Sequence, residues 1–278
     1  MTTGERPSVA YLFLSPWIAG AALLTAGPML WLLYLSFTDY DMFTAPQWVG
    51  LDNYVRMLTV DPHFWNAVLA TTKFVVFSVP VQLAAALGVA MLINRRSRAQ
   101  GLYRSSFYAP SLLGASVSVA LVWRVIFHDW IGDPDRALLA LVLLAVWQFG
   151  APMVIFLAGL QQIPPEYYDA AAVDGAGRWR TFIAITLPML SPVIFFNLVL
   201  DTIRAFQVFT GAYVLSNGTG GPSDSTLFYT LYLYEKGFVE FRMGYASAMA
   251  WLLLVAVAAV TALLFRTSRS WVFYGDDA

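Results

Sequence analysis

Long apolar runs recur along the chain, several near or above the roughly 20 residues that an α-helix needs to cross a ~30 Å hydrocarbon core. Six stretches can be drawn, near 9–37, 66–93, 107–127, 137–159, 187–215 and 244–265. Of 278 residues, 59% are hydrophobic and only 12% are charged, where a soluble domain carries roughly 25% charged residues. Water would leave too much apolar surface uncovered, so the bilayer is the expected solvent and backbone polar groups must be satisfied within helices. The expectation is an all-α polytopic membrane protein with about six transmembrane helices, forming a single transmembrane domain over residues 1–278 and surrounded by membrane lipids. The first run follows Arg6 and is too long for a signal-peptide core of roughly 7 to 15 residues, so it reads as a retained span. Pro16, Pro28 and Pro80 remove backbone donors inside spans and are expected kink sites.

A net charge of −1 leaves no cationic excess for nucleic acid, and the absence of cysteine removes disulfides, thiolate metal sites and thiol catalysis. Arginines are biased to one side of the expected topology: Arg6, Arg95, Arg96, Arg98, Arg104, Arg178, Arg180, Arg266 and Arg269. Arg56, Arg124, Arg136, Lys236 and Arg242 fall on the other. Positive loops stay inside, which puts both termini in the cytoplasm of a multi-pass protein of the cell membrane. His63 and His128 have no partners at metal-ligand spacing, and no metal site is expected. The Gly-rich run at 218–221 lacks the GxxxxGK[ST] pattern of an ATP-binding loop, and neither Lys73 nor Lys236 supplies it. The chain is therefore not expected to be an enzyme, and an energy source would have to be a partner.

Residues 163–192 read IPPEYYDAAAVDGAGRWRTFIAITLPMLSP. Pro165 suits a first helical turn, Glu166 and Asp169 complement the positive end of the helix dipole, and Gly175 can take the left-handed conformation that closes a helix. A second helix is expected from Trp179 to Thr186, stopping at Pro188. Ala170, Ala171 and Ala172 would form a small surface for close approach by another backbone. On residue types alone an interfacial amphipathic connector is an equal reading.

The spacing resembles the loop signature of the permease family of binding-protein-dependent ABC importers: Glu-Ala-Ala, three residues, Gly, nine residues, Ile, one residue, Leu-Pro. Asp169, Ala170, Ala171, Gly175, Ile185, Leu187 and Pro188 match it, with Asp169 standing where the family has Glu. The segments VGLDNYVRML from Val49, FQVFTGAYVLSNGTGGPSDSTLFYTLYLYEKGF from Phe206 and MGYASAMA from Met243 resemble the carbohydrate-uptake branch that includes the larger maltose permease. The 128–136 connection departs from that branch in being shorter. The resemblance implies a type I permease fold with a cytoplasmic coupling-helix loop at about 160–187. It implies that Glu166, Asp169, Ala170, Ala171, Asp174 and Gly175 couple to an ATPase. Implied partners are a second permease subunit, two ATP-binding subunits that carry ATP and magnesium, and an extracytoplasmic substrate-binding protein. This chain itself would bind no cofactor.

Inside the membrane, ionisable residues point to function or to bundle-stabilising pairs. Asn197, Asp201 and Arg204 recur at i, i+4 and i+7 and share a helix face. They read either as a self-neutralising Asp201–Arg204 pair or as a polar stripe facing a solute path, and the two readings are compatible. Phe206, Phe209 and Tyr213 are expected to continue that span, and Trp147 and Gln148 occupy the fourth. Aromatics at helical spacing are more often packing than binding, so the candidate pathway residues are Asn197, Asp201, Arg204 and Gln148. The resulting expectation is a permease that moves a mono- or disaccharide by alternating access. The alternatives are an importer of a glycerol-3-phosphate-like solute and an ion-coupled secondary transporter that uses Asp201.

Overall fold

The computed structural model describes residues 7–94, 100–114 and 116–273, and is helical almost throughout. Arg6, Arg95, Arg96 and Arg98 lie outside the described residues. In chain order the elements are α1 Pro7–Gly20, a π turn Ala21–Ala26, α2 Gly27–Ser36, a small antiparallel hairpin of β1 Thr38–Asp39 and β2 Gln47–Trp48, and α3 Asp52–Thr59. There follow α4 Pro62–Ile93, α5 Gln100–Leu113, α6 Val117–Ile126, α7 His128–Ile131, α8 Pro134–Trp147, α9 Gly150–Gln162 and α10 Pro165–Val173. The chain continues with α11 Arg178–Thr181, a second π turn Phe182–Thr186, α12 Leu187–Phe206, α13 Thr210–Ser216, α14 Tyr229–Tyr234, a third π turn Glu235–Val239 and α15 Met243–Ser268.

Among the described residues, four helices are long and apolar enough to cross a membrane: Phe13–Ser36, Pro62–Ile93, Arg178–Phe206 and Met243–Ser268. Two bent pairs, α5 with α6 at 94° and α8 with α9 at 45°, bring the number of spans to as many as six. Their outward faces carry large apolar side chains, such as Leu24 at 81% exposure, as a surface in contact with lipid or with another membrane subunit does.

Three sequence expectations change. Pro188 does not stop a helix, because the π turn Phe182–Thr186 precedes it and the helix runs from Arg178 to Phe206. The Leu187 N–H bonds back to the Phe182 carbonyl, five residues earlier, so the register is already widened when the donorless proline arrives. Pro28 follows the same device, with the Gly27 N–H on the Ala22 carbonyl. The expected third span near 107–127 is instead a bent pair whose first helix begins at Gln100. The fifth span ends at Phe206 rather than near 215, so Phe209 and Tyr213 lie beyond a break. No proline or glycine sits at 207–209. The freed Val208 carbonyl accepts instead from the hydroxyl of Thr230, a partner distant in sequence.

The chain divides into two compact units. The first combines Met1–Asp61 with Leu233–Val255. In it, Asn53 donates to the carbonyls of Ser36 (3.0 Å) and Thr38 (2.9 Å), capping the end of α2, and the Tyr54 hydroxyl reaches Ser36 Oγ at 2.9 Å. The Gly244 N–H bonds the Tyr40 carbonyl at 3.1 Å, and the Tyr245 hydroxyl donates to Asp61 at 2.6 Å. Two of the segments that carry the family resemblance, around Asn53 and around Tyr245, therefore belong to one folded body.

The second unit combines Pro62–Tyr232 with Ala256–Ala278. Here α4 packs against α8, α9 and α12. Its buried positions include Ala67, Ala70, Thr71, Ser78, Ala86 and Ala90, small residues of the kind that let helices approach closely where burial from water supplies no driving force.

Candidate functional site

The loop between α9 and α12 is built as its residues dictate. Pro165 enters at the first helical positions of α10, and Glu166 lies in the first turn. At the other end Gly175 takes φ +73°. The Ala176 N–H bonds the Ala171 carbonyl at 2.9 Å and the Gly175 N–H bonds the Ala172 carbonyl at 3.1 Å. This pair of bonds is the Schellman closure, for which a residue without a Cβ is favoured. Glu166, Asp169, Ala170, Asp174 and Gly175 are exposed, and Val173 is 89% exposed. Ala171 is buried, so the small surface expected of Ala170, Ala171 and Ala172 is divided, with Ala171 turned into this chain's own packing. The Tyr168 hydroxyl lies 3.2 Å from Thr186 Oγ1 and ties α10 to the second π turn.

Within the second unit a cavity of about 190 Å³ is lined by Ser78 and Gln82 of α4, Ser111 of α5, Gln148, and Asp201 and Arg204 of α12, with Phe74, Ala145, Ala151, Ala205 and Val208 as apolar wall. Three of the four pathway candidates therefore meet. Asn197 does not line this cavity: it is 2% exposed and donates to the Val193 carbonyl, one turn back, at 3.0 Å. Gln148 and Phe209 also line a second cavity of about 180 Å³ that shares part of the same wall.

Asp201 and Arg204 form an ion pair at 3.6 Å, but the two ends differ. The aspartate is 5% exposed and the arginine 66%. Asp201 Oδ2 is buried without a hydrogen-bond partner among the described residues. A buried carboxylate oxygen normally accepts at least one bond. Asp201 lines the cavity beside the amides of Gln82 and Gln148 and a largely exposed guanidinium, a polar set of the kind that holds hydroxyl groups.

Ser78, Gln82 and Ser111 were not among the sequence candidates. Phe74, Ser78 and Gln82 stand four residues apart, so polar groups inside an apolar span at helical spacing would have found two of the three. His63, expected to be solvated, lies at the start of α4 with Nδ1 2.6 Å from Asp224 Oδ2, which also accepts from Asn66 at 2.9 Å. The Gly-rich run lies in the turn between α13 and α14, where Asn217 closes α13 in the left-handed conformation and accepts from Arg124.

Comparison with known proteins concerns the chain as a whole. The chain is 49% identical over 282 residues to the probable ABC transporter permease protein YesP of Bacillus subtilis (strain 168), covering 95% of this chain and 91% of that protein. It is 32% identical to the lactose transport system permease protein LacF of Rhizobium radiobacter, over 97% and 99% of the two chains. Among solved structures, a chain of the bacterial alginate ABC transporter, crystallised in complex with alginate pentasaccharide-bound periplasmic protein, superposes with a TM-score of 0.77. Coverage is 95% of both chains and identity 20%, so the likeness concerns the fold. The family of binding-protein-dependent transport system inner membrane components matches residues 23–272, and this chain, an all-α multi-pass membrane permease, belongs to it.

Proposed function

We propose that this chain is one permease subunit of an ATP-driven importer and that its solute is a sugar. The observation that carries the reading is the continuity of the chain around its two functional regions. The exposed helix α10 is joined through α9 to the Gln148 break and through α11 to the helix that bears Asp201 and Arg204. A push on α10 thus reaches both walls of the cavity, which is what alternating access driven from one side of the membrane needs. The sugar is supported by relatives named for lactose, for starch degradation products and for trehalose and maltose. The ion-coupled alternative belongs to a different class of transporter from the matched family and is not favoured.

The partners proposed are a second permease subunit, two ATP-binding subunits and an extracytoplasmic binding protein. A cavity of about 190 Å³ falls below the roughly 300 to 1,000 Å³ of typical ligand sites, which suits a path that a second subunit completes. The residues proposed to meet the ATP-binding subunit are Glu166, Asp169, Ala170, Asp174 and Gly175, with Ala171 supporting them from behind. ATP and magnesium act on that partner. Arg104, Arg178, Arg180, Arg266 and Arg269 give the proposed cytoplasmic side, with both termini and α10 on it. The proposed unit of transport is the whole chain, both compact units working as one transmembrane domain.

The test uses the absence of cysteine. Val173→Cys places one thiol on the outermost part of α10. Crosslinking in native membranes should capture an ATP-binding subunit, in a yield that changes when ATP hydrolysis is trapped. A thiol that can be labelled but captures no ATP-binding protein overturns the reading.

A further inference from the structure

We propose that Ser111 is a positioning residue for Gln148: one hydroxyl from α5 holds open the interruption between α8 and α9 that aims the Gln148 side chain into the cavity. The proposal rests on the reading of that cavity as part of the solute path.

The interruption begins with Pro152. An α-helical carbonyl is served by the N–H four residues later, and for Gln148 that residue is Pro152, which has none. The helix tightens before the gap, with the Gln148 N–H on Ala145 at 3.0 Å and the Phe149 N–H on Val146 at 3.1 Å. The Gln148 carbonyl is left without a helical donor, and the next turn starts afresh at Gly150. Ser111 Oγ donates to the Gln148 carbonyl at 2.8 Å and accepts from the Ala151 N–H at 3.1 Å. A single side chain therefore satisfies one group on each edge of the break. In a membrane interior such groups must find partners within the protein.

The fit of α5 against the break is close enough to depend on glycine at two places. A Cβ on Gly150 would stand 2.5 Å from the Phe107 carbonyl oxygen and 2.6 Å from Ser111 Oγ, and one on Gly114 would fall among the Gln148 side-chain atoms. Gln148 Nε2 is steadied by the Leu144 carbonyl at 3.3 Å. Ser111 and Gln148 then line the same cavity as Asp201 and Arg204. Without the hydroxyl, the break must close toward a straight helix or admit another donor, and either change turns Gln148 from its present direction.

The test is the reactivity of a thiol at position 148 toward a small cationic methanethiosulfonate, measured in the assembled transporter in proteoliposomes. Ser111 bonds the backbone of residue 148, so Gln148→Cys leaves its bonds in place. Adding Ser111→Ala is expected to slow labelling about tenfold, as loss of a hydrogen bond of ordinary strength allows, while Ser111→Thr keeps most of the rate. Pro152→Ala supplies the missing N–H, so in that background Ser111→Ala should have little further effect. With Pro152 in place, equal labelling rates with and without the hydroxyl overturn the proposal, as do independent effects of the Ser111 and Pro152 changes. Should Ser111→Ala alone prevent assembly, its recovery when Pro152→Ala is added supports the proposal, and a failure to recover overturns it. The path reading is tested separately, by protection of the thiol with the disaccharide that best stimulates ATP hydrolysis from a panel of neutral and acidic disaccharides. A thiol that depends on Ser111 but is never protected leaves the geometry standing and removes the path reading and the functional role with it.

Discussion

The loop around α10 and the cavity around Gln148 are both made by interrupting helices, and they are interrupted by different physics. The loop is local. Its start, its end and its exposed face come from Pro165, Glu166 and Gly175, all within a few turns of one another. The cavity is assembled from four regions between Phe74 and Val208, and its breaks are held by hydroxyls sent from elsewhere: Ser111 to Gln148, and Thr230 to Val208. A local device keeps its shape when it is pushed as a body, whereas an assembled one changes shape when its helices shift. That division of labour suits a rigid handle joined to a deformable site.

The comparison breaks most visibly at Gly175. Among the described residues nothing stands within 4 Å of where a Cβ would be, so only the backbone objects to a side chain. Gly175→Val forces a β-branched residue into the left-handed region at a cost of about 2 kcal/mol. ATP-driven uptake should fall at least about tenfold, while thiol labelling at position 148 stays as it was. Gly175→Asn, which tolerates that conformation, should recover most of the uptake. Uptake unaffected by valine would mean that the handle need not be rigid.

A smaller effect is expected at Asp201. Asp201→Asn keeps the shape and removes the charge opposite Arg204. Half-saturation for uptake should rise about tenfold, equivalent to ~1.4 kcal/mol, with ATP hydrolysis still tied to transport. A fall in maximal rate at unchanged half-saturation would make the pair a structural tie instead. Asn197→Ala sharpens the same point from the next turn. Asn197 lies off the cavity and bonds its own helix, so half-saturation should not move, and stability should drop by about 1 kcal/mol in thermal unfolding.

The smallest effect belongs to a turn outside both regions. Asp41 Oδ1 accepts from the Thr44 N–H at 2.8 Å, the Thr44 hydroxyl at 2.9 Å and the Phe43 N–H at 3.0 Å. These bonds, that from the Thr44 backbone foremost, hold the carboxyl below its ordinary value. A lowered acid stabilises its turn above the unfolded carboxylate value of roughly 3.9 and loses that contribution as pH falls through the lowered one. Amide exchange at Phe43 and Thr44 should therefore be protected at neutral pH and lose protection only in strong acid. Asp41→Asn should lose part of it at every pH.

How much of this was legible in the sequence follows the same division. The four long helices could be drawn from apolar runs, and the loop from Pro165 and Gly175, because each is specified by its own neighbours. Gln148, Asp201 and Arg204 stood out because polar groups inside spans are expensive. The end of α12 at Phe206 was not visible, since the hydroxyl that meets the Val208 carbonyl just beyond it comes from Thr230, distant in sequence. Ser111 was not visible either, because the apolar run near 107–127 passed straight through it, and its partners at Gln148 and Ala151 lie in a different span. Pro188 misled for a subtler reason: a proline normally ends a helix, but here the turn before it had already changed register.

That register change also sets an angle. Successive residues of an α-helix are turned by about 100°, and the wider turn at Phe182–Thr186 takes up more residues per bond than the helix on either side. It therefore fixes the rotational phase between Arg178 and Trp179, at the loop end, and Asp201 and Arg204, at the cavity end of one continuous rod. Shortening that turn by a single residue would leave composition, length and hydrophobicity almost untouched, yet would twist the far end so that the carboxylate faced a neighbouring helix or the lipid. The π turn works as a keyway: on the proposed function, it would determine which side of the rod meets the solute when the other side is pushed.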